Sequence, residues 1–198
     1  MDDDPDEGRV VRGEDWYGRH LAGTRHLRWT FYDTDWTEVA DEGAVFEECT
    51  FSGVRFNASR HTGAAFTNCV FSNCTFFDTR FDNCKLVGSQ FRSCTFHLFA
   101  VDGGDWSFTT LPGAELRRAE FDGVRMRESD LSGARLEEAV LRHCDLSACA
   151  LEGADLSGAD LRGSDLSTLD PLTVRLRGAR IGLEQAAVLA TALGLRVE

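Results

Sequence analysis

The side chains best equipped for chemistry are seven cysteines, five histidines and a large population of acids and serines. Cysteine could supply a nucleophile, a disulfide or a zinc ligand, and histidine a base or a metal ligand. The cysteines are Cys49, Cys69, Cys74, Cys84, Cys94, Cys144 and Cys149, and no two form a Cys-x-x-Cys pair. His20, His26, His61, His97 and His143 fall in no metal-binding spacing. There is no phosphate loop, dinucleotide fingerprint or nucleophile elbow. The spacings predict a protein that is not an enzyme and has neither metal nor cofactor.

What the cysteine spacing does reveal is a period, because all seven positions differ by multiples of five. Stepping by five from Phe46 gives Phe51, Phe56, His61, Phe66, Phe71, Phe76, Phe81, Leu86, Phe91, Phe96, Val101 and Trp106. The register continues through Leu111, Leu116, Phe121 and Met126 to Leu166, and of these 25 positions only His61 is not a large apolar residue. Two residues before each lies a small residue, with Phe99 the one large exception, and every cysteine stands in this second column. Two positions in five therefore face inward, and three face outward and carry the charge. Glycine and asparagine gather two residues after the large one, as at Gly53, Gly63, Asn68 and Asn73, where a tight turn can demand positive φ.

A period of five fits neither a helix nor a simple strand. A chain that turns a corner every five residues closes a square coil after twenty, so residue n lies beneath n+20 at about the 4.8 Å strand spacing. Phe51, Phe71 and Phe91 then form one internal ladder, and Phe56, Phe76 and Phe96 a second. The run Ala154-Asp155-Leu156-Ser157-Gly158-Ala159-Asp160-Leu161-Arg162-Gly163 fits the pattern A(D/N)LXX and resembles the pentapeptide repeat family. That resemblance implies an all-β solenoid, a right-handed quadrilateral β-helix, over residues 29–182. Within it the cysteines read as small buried fillers with free thiols, Cys49 stacking on Cys69 and Cys74 on Cys94 at separations a disulfide permits. His61 reads as a hydrogen-bonded core histidine.

Residues 1–28 read as an acidic, partly disordered N-terminal segment. Phe31 and Trp36 keep register, but Asp41 breaks it and predicts an irregular first coil. Pro171 occupies an inward position that Leu172 could fill instead. Residues 183–198 form a third unit, a short α-helix ended by Gly194. A solenoid must cover its last open edge, which accounts for one apolar face of that helix. Ala186, Ala190 and Leu193 share a face, while Val188 and Leu189 extend the apolar surface beyond it, predicting a homodimer contact.

Net charge is -12 and the isoelectric point near 4.8, which argues against direct nucleic-acid binding. No apolar run approaches the ~18–20 residues of a membrane span, and Met1–Gly8 has no secretory signature, so the expected location is cytoplasmic. Residues 130–170 hold nine acids against Arg135, Arg142 and Arg162. Around the square, the two adjacent columns through Phe46 and Phe51 carry the excess. On them Asp130, Asp145, Glu152, Asp165 and Asp170 are the candidate partner-binding acids, with Asp105 and Glu128 behind them. Against this, residues 44–183 together carry only 15 bases against 19 acids.

Three further stretches, Phe46-Glu47-Glu48-Cys49-Thr50-Phe51-Ser52-Gly53-Val54, Leu151-Glu152-Gly153-Ala154-Asp155-Leu156-Ser157-Gly158-Ala159 and Gln185-Ala186-Ala187-Val188, resemble the MfpA/Qnr-type fluoroquinolone-resistance subgroup. That resemblance implies dimeric rods that mimic duplex DNA, occupy DNA gyrase and protect this type II topoisomerase from fluoroquinolones or other poisons. The alternative is a structural or protein-interaction β-solenoid with a non-gyrase partner.

Overall fold

A computed structural model of the chain describes residues 7–197, so part of the expected acidic tail lies outside the described residues. Three-residue strands alternate with corners, and each strand lies parallel to the one twenty residues away. On face A the register runs Val10↔Thr30, Thr30↔Thr50, Thr50↔Val70 and Val70↔Gln90. Faces B, C and D repeat this pattern with inward columns through Phe76 and Phe96, Leu21 and Asp41, and His26 and Phe46. The result is the quadrilateral β-helix expected from the period.

The core is a set of stacked rings. Phe31, Phe51, Phe71 and Phe91 lie nearly parallel at centroid spacings of 4.9, 4.9 and 4.7 Å. Phe56, Phe76 and Phe96 follow at 4.9 and 5.3 Å. Stacking within a column is set by the strand spacing, while neighbouring columns meet edge to face, as Phe51 meets Phe56 at 5.5 Å and 62°. The corners impose positive φ on residues other than glycine too, including Glu48, Ser93, Leu98 and Glu128.

Two expectations at the N-terminus are corrected. The coil begins well before residue 29, since Val11, Trp16 and Leu21 are buried and the strands Val10–Arg12, His20–Ala22 and Arg25–Leu27 are fully in register. Asp41 does not break the ladder. It is 1% exposed and pairs with Leu21 above and His61 below, because His61 gives its carboxylate a partner inside the core. The acidic composition hides a regular first coil.

Among the described residues the ladders on faces C and D are continuous, and faces A and B each lack one rung. On face A, Ala150 and Asp170 do not pair, beside Pro171, which has no N–H to give. Leu172 does not take its place inside: it is 78% exposed. On face B, Thr95 and Glu115 do not pair, and no backbone hydrogen bond joins Ser93, Phe96 or Leu98 to the next coil. Phe99, the one large residue in the small-residue column, sits directly after this stretch against Phe96 at 5.1 Å and Trp106 at 6.1 Å. Overfilling that slot splays the coils. The corner types also change there, from the strands Gln90–Arg92 and Thr95–His97 to turns closed by Ala114 N–H to Leu111 O and Ala119 N–H to Leu116 O. Pro112 and Gly113, with φ 65°, suit the first of those turns.

The helix Leu183–Ala192 closes the C-terminal end. Its one buried residue is Gln185, whose Nε2 donates to the carbonyls of Leu161 and Ser164 at 2.6 and 2.7 Å, satisfying edge acceptors that no further coil can reach. Leu189, one turn on, also packs on the core.

Candidate partner-binding surface

Most of the cysteines, and His26 and His61, are enclosed, whereas His20, His97 and His143 are exposed. Six cysteines are buried and Cys94 is partly buried, and burial pushes Cys144 and Cys149 up to about 11. Ser59, His61 and Asp41 do form a hydrogen-bonded chain, with Ser59 Oγ to His61 Nε2 at 3.1 Å and His61 Nδ1 to Asp41 Oδ2 at 3.1 Å. All three are at most 1% exposed, and the Ser59 hydroxyl donates to the Phe56 carbonyl at 2.7 Å. This cluster is part of the core.

The acids outside the core divide by partner. In these repeats an aspartate one position before the inward residue accepts the N–H two residues later, so one carboxylate oxygen closes the corner. Asp130 takes the Ser132 N–H at 2.9 Å, Asp145 that of Ser147 at 3.1 Å, Asp165 that of Ser167 at 2.8 Å, and Asp170 that of Leu172 at 2.9 Å. The second oxygen is left for a neighbour. On faces B and C that neighbour is an arginine: Arg175 for Asp155, both Arg142 and Arg162 for Asp160, Arg117 for Glu137 and Arg118 for Glu138.

On faces A and D near the C-terminal end the neighbour is missing. Asp130, Glu152, Asp165 and Asp170 form no ion pair among the described residues, and Asp145 has only Arg127 at 4.0 Å. The nine acids of residues 130–170 thus separate into four neutralised on faces B and C, four without an ion pair on faces A and D, and Asp145, which Arg127 reaches only at 4.0 Å. The structure brings Asp145 and Asp165 onto adjacent rungs of face D, and Asp130 and Asp170 into one column of face A. Two carboxylates one rung apart repel by roughly 0.9 kcal/mol in water, which a basic partner would relieve. The Ser167 hydroxyl and N–H hold the Asp165 carboxyl below its ordinary range, keeping it charged.

The two further candidates differ. Glu128 is exposed at a corner, with φ 54°. Asp105 is matched by Arg125 at 3.3 Å; partial burial works to raise its pKa, but the Ser107 and Arg125 hydrogen bonds outweigh it. The serines that fix the aspartates, Ser132, Ser147 and Ser167, escape a reading of charge alone, although the Asp-x-Ser spacing is visible in the sequence.

At the coil end, Leu183, Val188, Leu193, Leu195 and Val197 are exposed, and a cavity of about 430 Å³ opens beside Val188 and Ala187. Ala186 and Ala190 are half-buried. Leu189 is half-buried and packs in part on the core of its own chain.

Profiles of known families match parts of the chain. Pentapeptide repeats, in 8 copies, match residues 129–167, a pentapeptide repeat region matches residues 74–146, and the SV2A/B/C luminal domain matches residues 20–96. No curated protein matches the chain. Among solved structures, a trypsin-treated form of QnrB1, a plasmid-mediated fluoroquinolone resistance protein, is 20% identical with a TM-score of 0.58, covering 97% of this chain and 99% of that one. Full-length QnrB1 is 20% identical with a TM-score of 0.49 over 96% and 99% of the two chains. HetL, a pentapeptide repeat protein involved in heterocyst differentiation regulation from the cyanobacterium Nostoc sp., is 19% identical with a TM-score of 0.49 over 88% and 87%. The likeness to trypsin-treated QnrB1 is one of fold.

Proposed function

Starting from the chain's membership of the pentapeptide repeat family, we propose that it is a DNA mimic that binds DNA gyrase, inhibiting or modulating it and protecting it from topoisomerase poisons such as fluoroquinolones. The observation that carries this reading is the set of open acids, Asp130, Asp145, Glu152, Asp165 and Asp170, on two adjacent faces whose neighbours are neutralised. A surface built to hold DNA is basic because it neutralises phosphates, and a preformed acidic rod competes for it without nucleic-acid chemistry. Backbone N–H groups already hold four of the five carboxylates, so little ordering entropy is lost on docking. The chain shares its fold with a plasmid-mediated fluoroquinolone resistance protein, which is in keeping with this reading.

The exposed apolar coil end supports a dimer. Two copies joined through Val188 and Leu193, with Ala186 and Ala190 at the margin, would set the open acids of both chains around the centre of one long rod. A second reading, an interaction solenoid with another basic partner, draws on the arginine-matched acids of faces B and C, which leave half of the rod without DNA-like charge.

The test is a gyrase supercoiling assay with the native protein and a five-site variant, Asp130→Asn, Asp145→Asn, Glu152→Gln, Asp165→Asn and Asp170→Asn. Asparagine keeps the oxygen that closes each corner and removes the charge. At roughly 0.2–1 kcal/mol per exposed charge, the variant should inhibit at least about fivefold more weakly. Equal inhibition overturns the acidic surface, and no inhibition or drug protection by the native protein overturns the gyrase reading.

A further inference from the structure

We propose that Cys94, with Cys74 as its resolving partner, is a thiol oxidation site that takes low-molecular-weight disulfides of the glutathione class. Two observations converge on this pair, access to one thiol and a second thiol stacked on it. Cys94 alone among the seven cysteines is not buried, and it lines an opening of about 280 Å³ together with Phe91, Ser93, Phe96, Gly113 and Ala114. The opening exists because the ladder is broken between Thr95 and Glu115, so a reagent reaches the sulfur without disrupting a backbone rung.

The second thiol is already in place. Cys74 and Cys94 are adjacent to the paired residues Thr75 and Thr95, one rung apart. The ~4.8 Å rung spacing falls within the Cα separation that a disulfide spans. Both sulfurs point the same way, Cys74 Sγ to the Phe51 carbonyl at 3.4 Å and Cys94 Sγ to that of Phe71 at 3.5 Å. Of the two sulfurs, the partly exposed Cys94 is the one a reagent meets first, and the buried Cys74 is placed to resolve the mixed disulfide.

A built-in control lies at the neighbouring corner, five residues before Cys74. Cys49 and Cys69 stack in the same manner, but both are 0% exposed beneath a continuous ladder. The remaining three, Cys84, Cys144 and Cys149, have no cysteine one rung above or below.

The chemistry balances as thiol–disulfide exchange. The Cys94 thiolate attacks one sulfur of the oxidised disulfide, forming a mixed disulfide and releasing one thiolate. Cys74 then attacks the Cys94 sulfur, forming the Cys74–Cys94 bond and expelling the second thiolate, which takes up the Cys74 proton as it leaves. Two electrons pass from the protein pair to the small disulfide, and the product staples two coils beside the opening.

Native protein is treated with oxidised glutathione at neutral pH, alkylated after unfolding, and mapped by peptide mass spectrometry. The expected result is loss of two thiols per chain, a Cys74–Cys94 crosslink, and reaction at Cys94 roughly tenfold faster than at any other cysteine. Cys74→Ala should trap glutathione on Cys94, and Cys94→Ala should leave all remaining thiols free. Alanine already fills the same column at Ala44, Ala64 and Ala134, and circular dichroism checks that each variant keeps its coil. A Cys49–Cys69 crosslink at equal rate, unselective reaction, or no loss of thiol from the native chain would each overturn the assignment.

Discussion

On face C the inward column reads Leu21, Asp41, His61 and Phe81, so two consecutive rungs place polar groups where apolar side chains stand elsewhere. Asp41 Oδ1 accepts the Ala44 N–H at 2.9 Å and Oδ2 meets His61 Nδ1 at 3.1 Å. Because the Ser59 hydroxyl proton goes to Phe56, Nε2 of His61 must donate to Ser59, and one proton is shared between Nδ1 and Oδ2. His61→Phe removes the carboxylate's partner in a dry core and should cost about 3–5 kcal/mol. Asp41→Leu leaves one imidazole nitrogen and the buried Ala44 N–H unpaired and should cost about 2–6 kcal/mol, roughly 1–3 for each group. The double variant rebuilds an apolar ladder, Leu21, leucine, phenylalanine, Phe81, and keeps only the Ala44 N–H penalty, so it should lie about 1–3 kcal/mol below the native chain. At about 2–4 °C per kcal/mol for a chain this long, His61→Phe lowers Tm by roughly 6–20 °C and the double variant recovers part of it. Thermal melts followed by circular dichroism give all four corners of the cycle. A double variant as unstable as the two single losses added together would refute the reasoning, because it would mean that the column needs the polar pair itself.

Asp160, 6% exposed between Arg142 and Arg162, should lose about 1–2 kcal/mol on Asp160→Asn at neutral pH. Arg162 above all, then Arg142, holds its folded carboxyl far below the ordinary range. Its contribution is therefore complete above the unfolded carboxylate pKa of about 3.9 and is lost as pH falls through the lower folded value. Melts of both proteins should converge on strong acidification, and a gap that persists there would assign the loss to packing. Val188→Glu combined with Leu193→Glu should halve the solution mass measured by light scattering while the coil's circular dichroism stays unchanged; an unaltered mass would remove the coil end as the dimer contact.

The ladders are legible in the sequence because an inward position makes a single steric demand, and Phe51, Phe71 and Phe91 meet it with one residue type. The first coil is harder to see because its signal is divided. His26, Leu21, Trp16 and Val11 keep the step of five, but Asp41 interrupts it, and the partner that makes Asp41 acceptable is twenty residues away. Phe99 stands out as the one large residue in its column, yet its consequence, a lost rung at Thr95, depends on how two successive corners stack. Counting charge along the chain has a similar limit. Glu137, Glu138 and Asp155 belong to an acidic stretch, but their arginines, Arg117, Arg118 and Arg175, lie outside it and reach them across a rung.

The aspartates therefore carry two separable properties. One oxygen is fixed by the fold, since the corner needs an acceptor for the N–H two residues on, and this explains why Asp155 and Asp165 are equally at home in the repeat. The other oxygen is set by the neighbouring rung: Arg175 covers it at Asp155, and among the described residues Asp165 forms no ion pair. An aspartate at this position says that a corner is being closed, and carries no information about a partner. What marks a surface for a partner is an arginine missing twenty residues away. Evolution can move an acidic face around such a rod by exchanging arginines while every corner-closing aspartate stays in place, so the arginine columns, more than the acids, should specify which surface each solenoid of this kind presents.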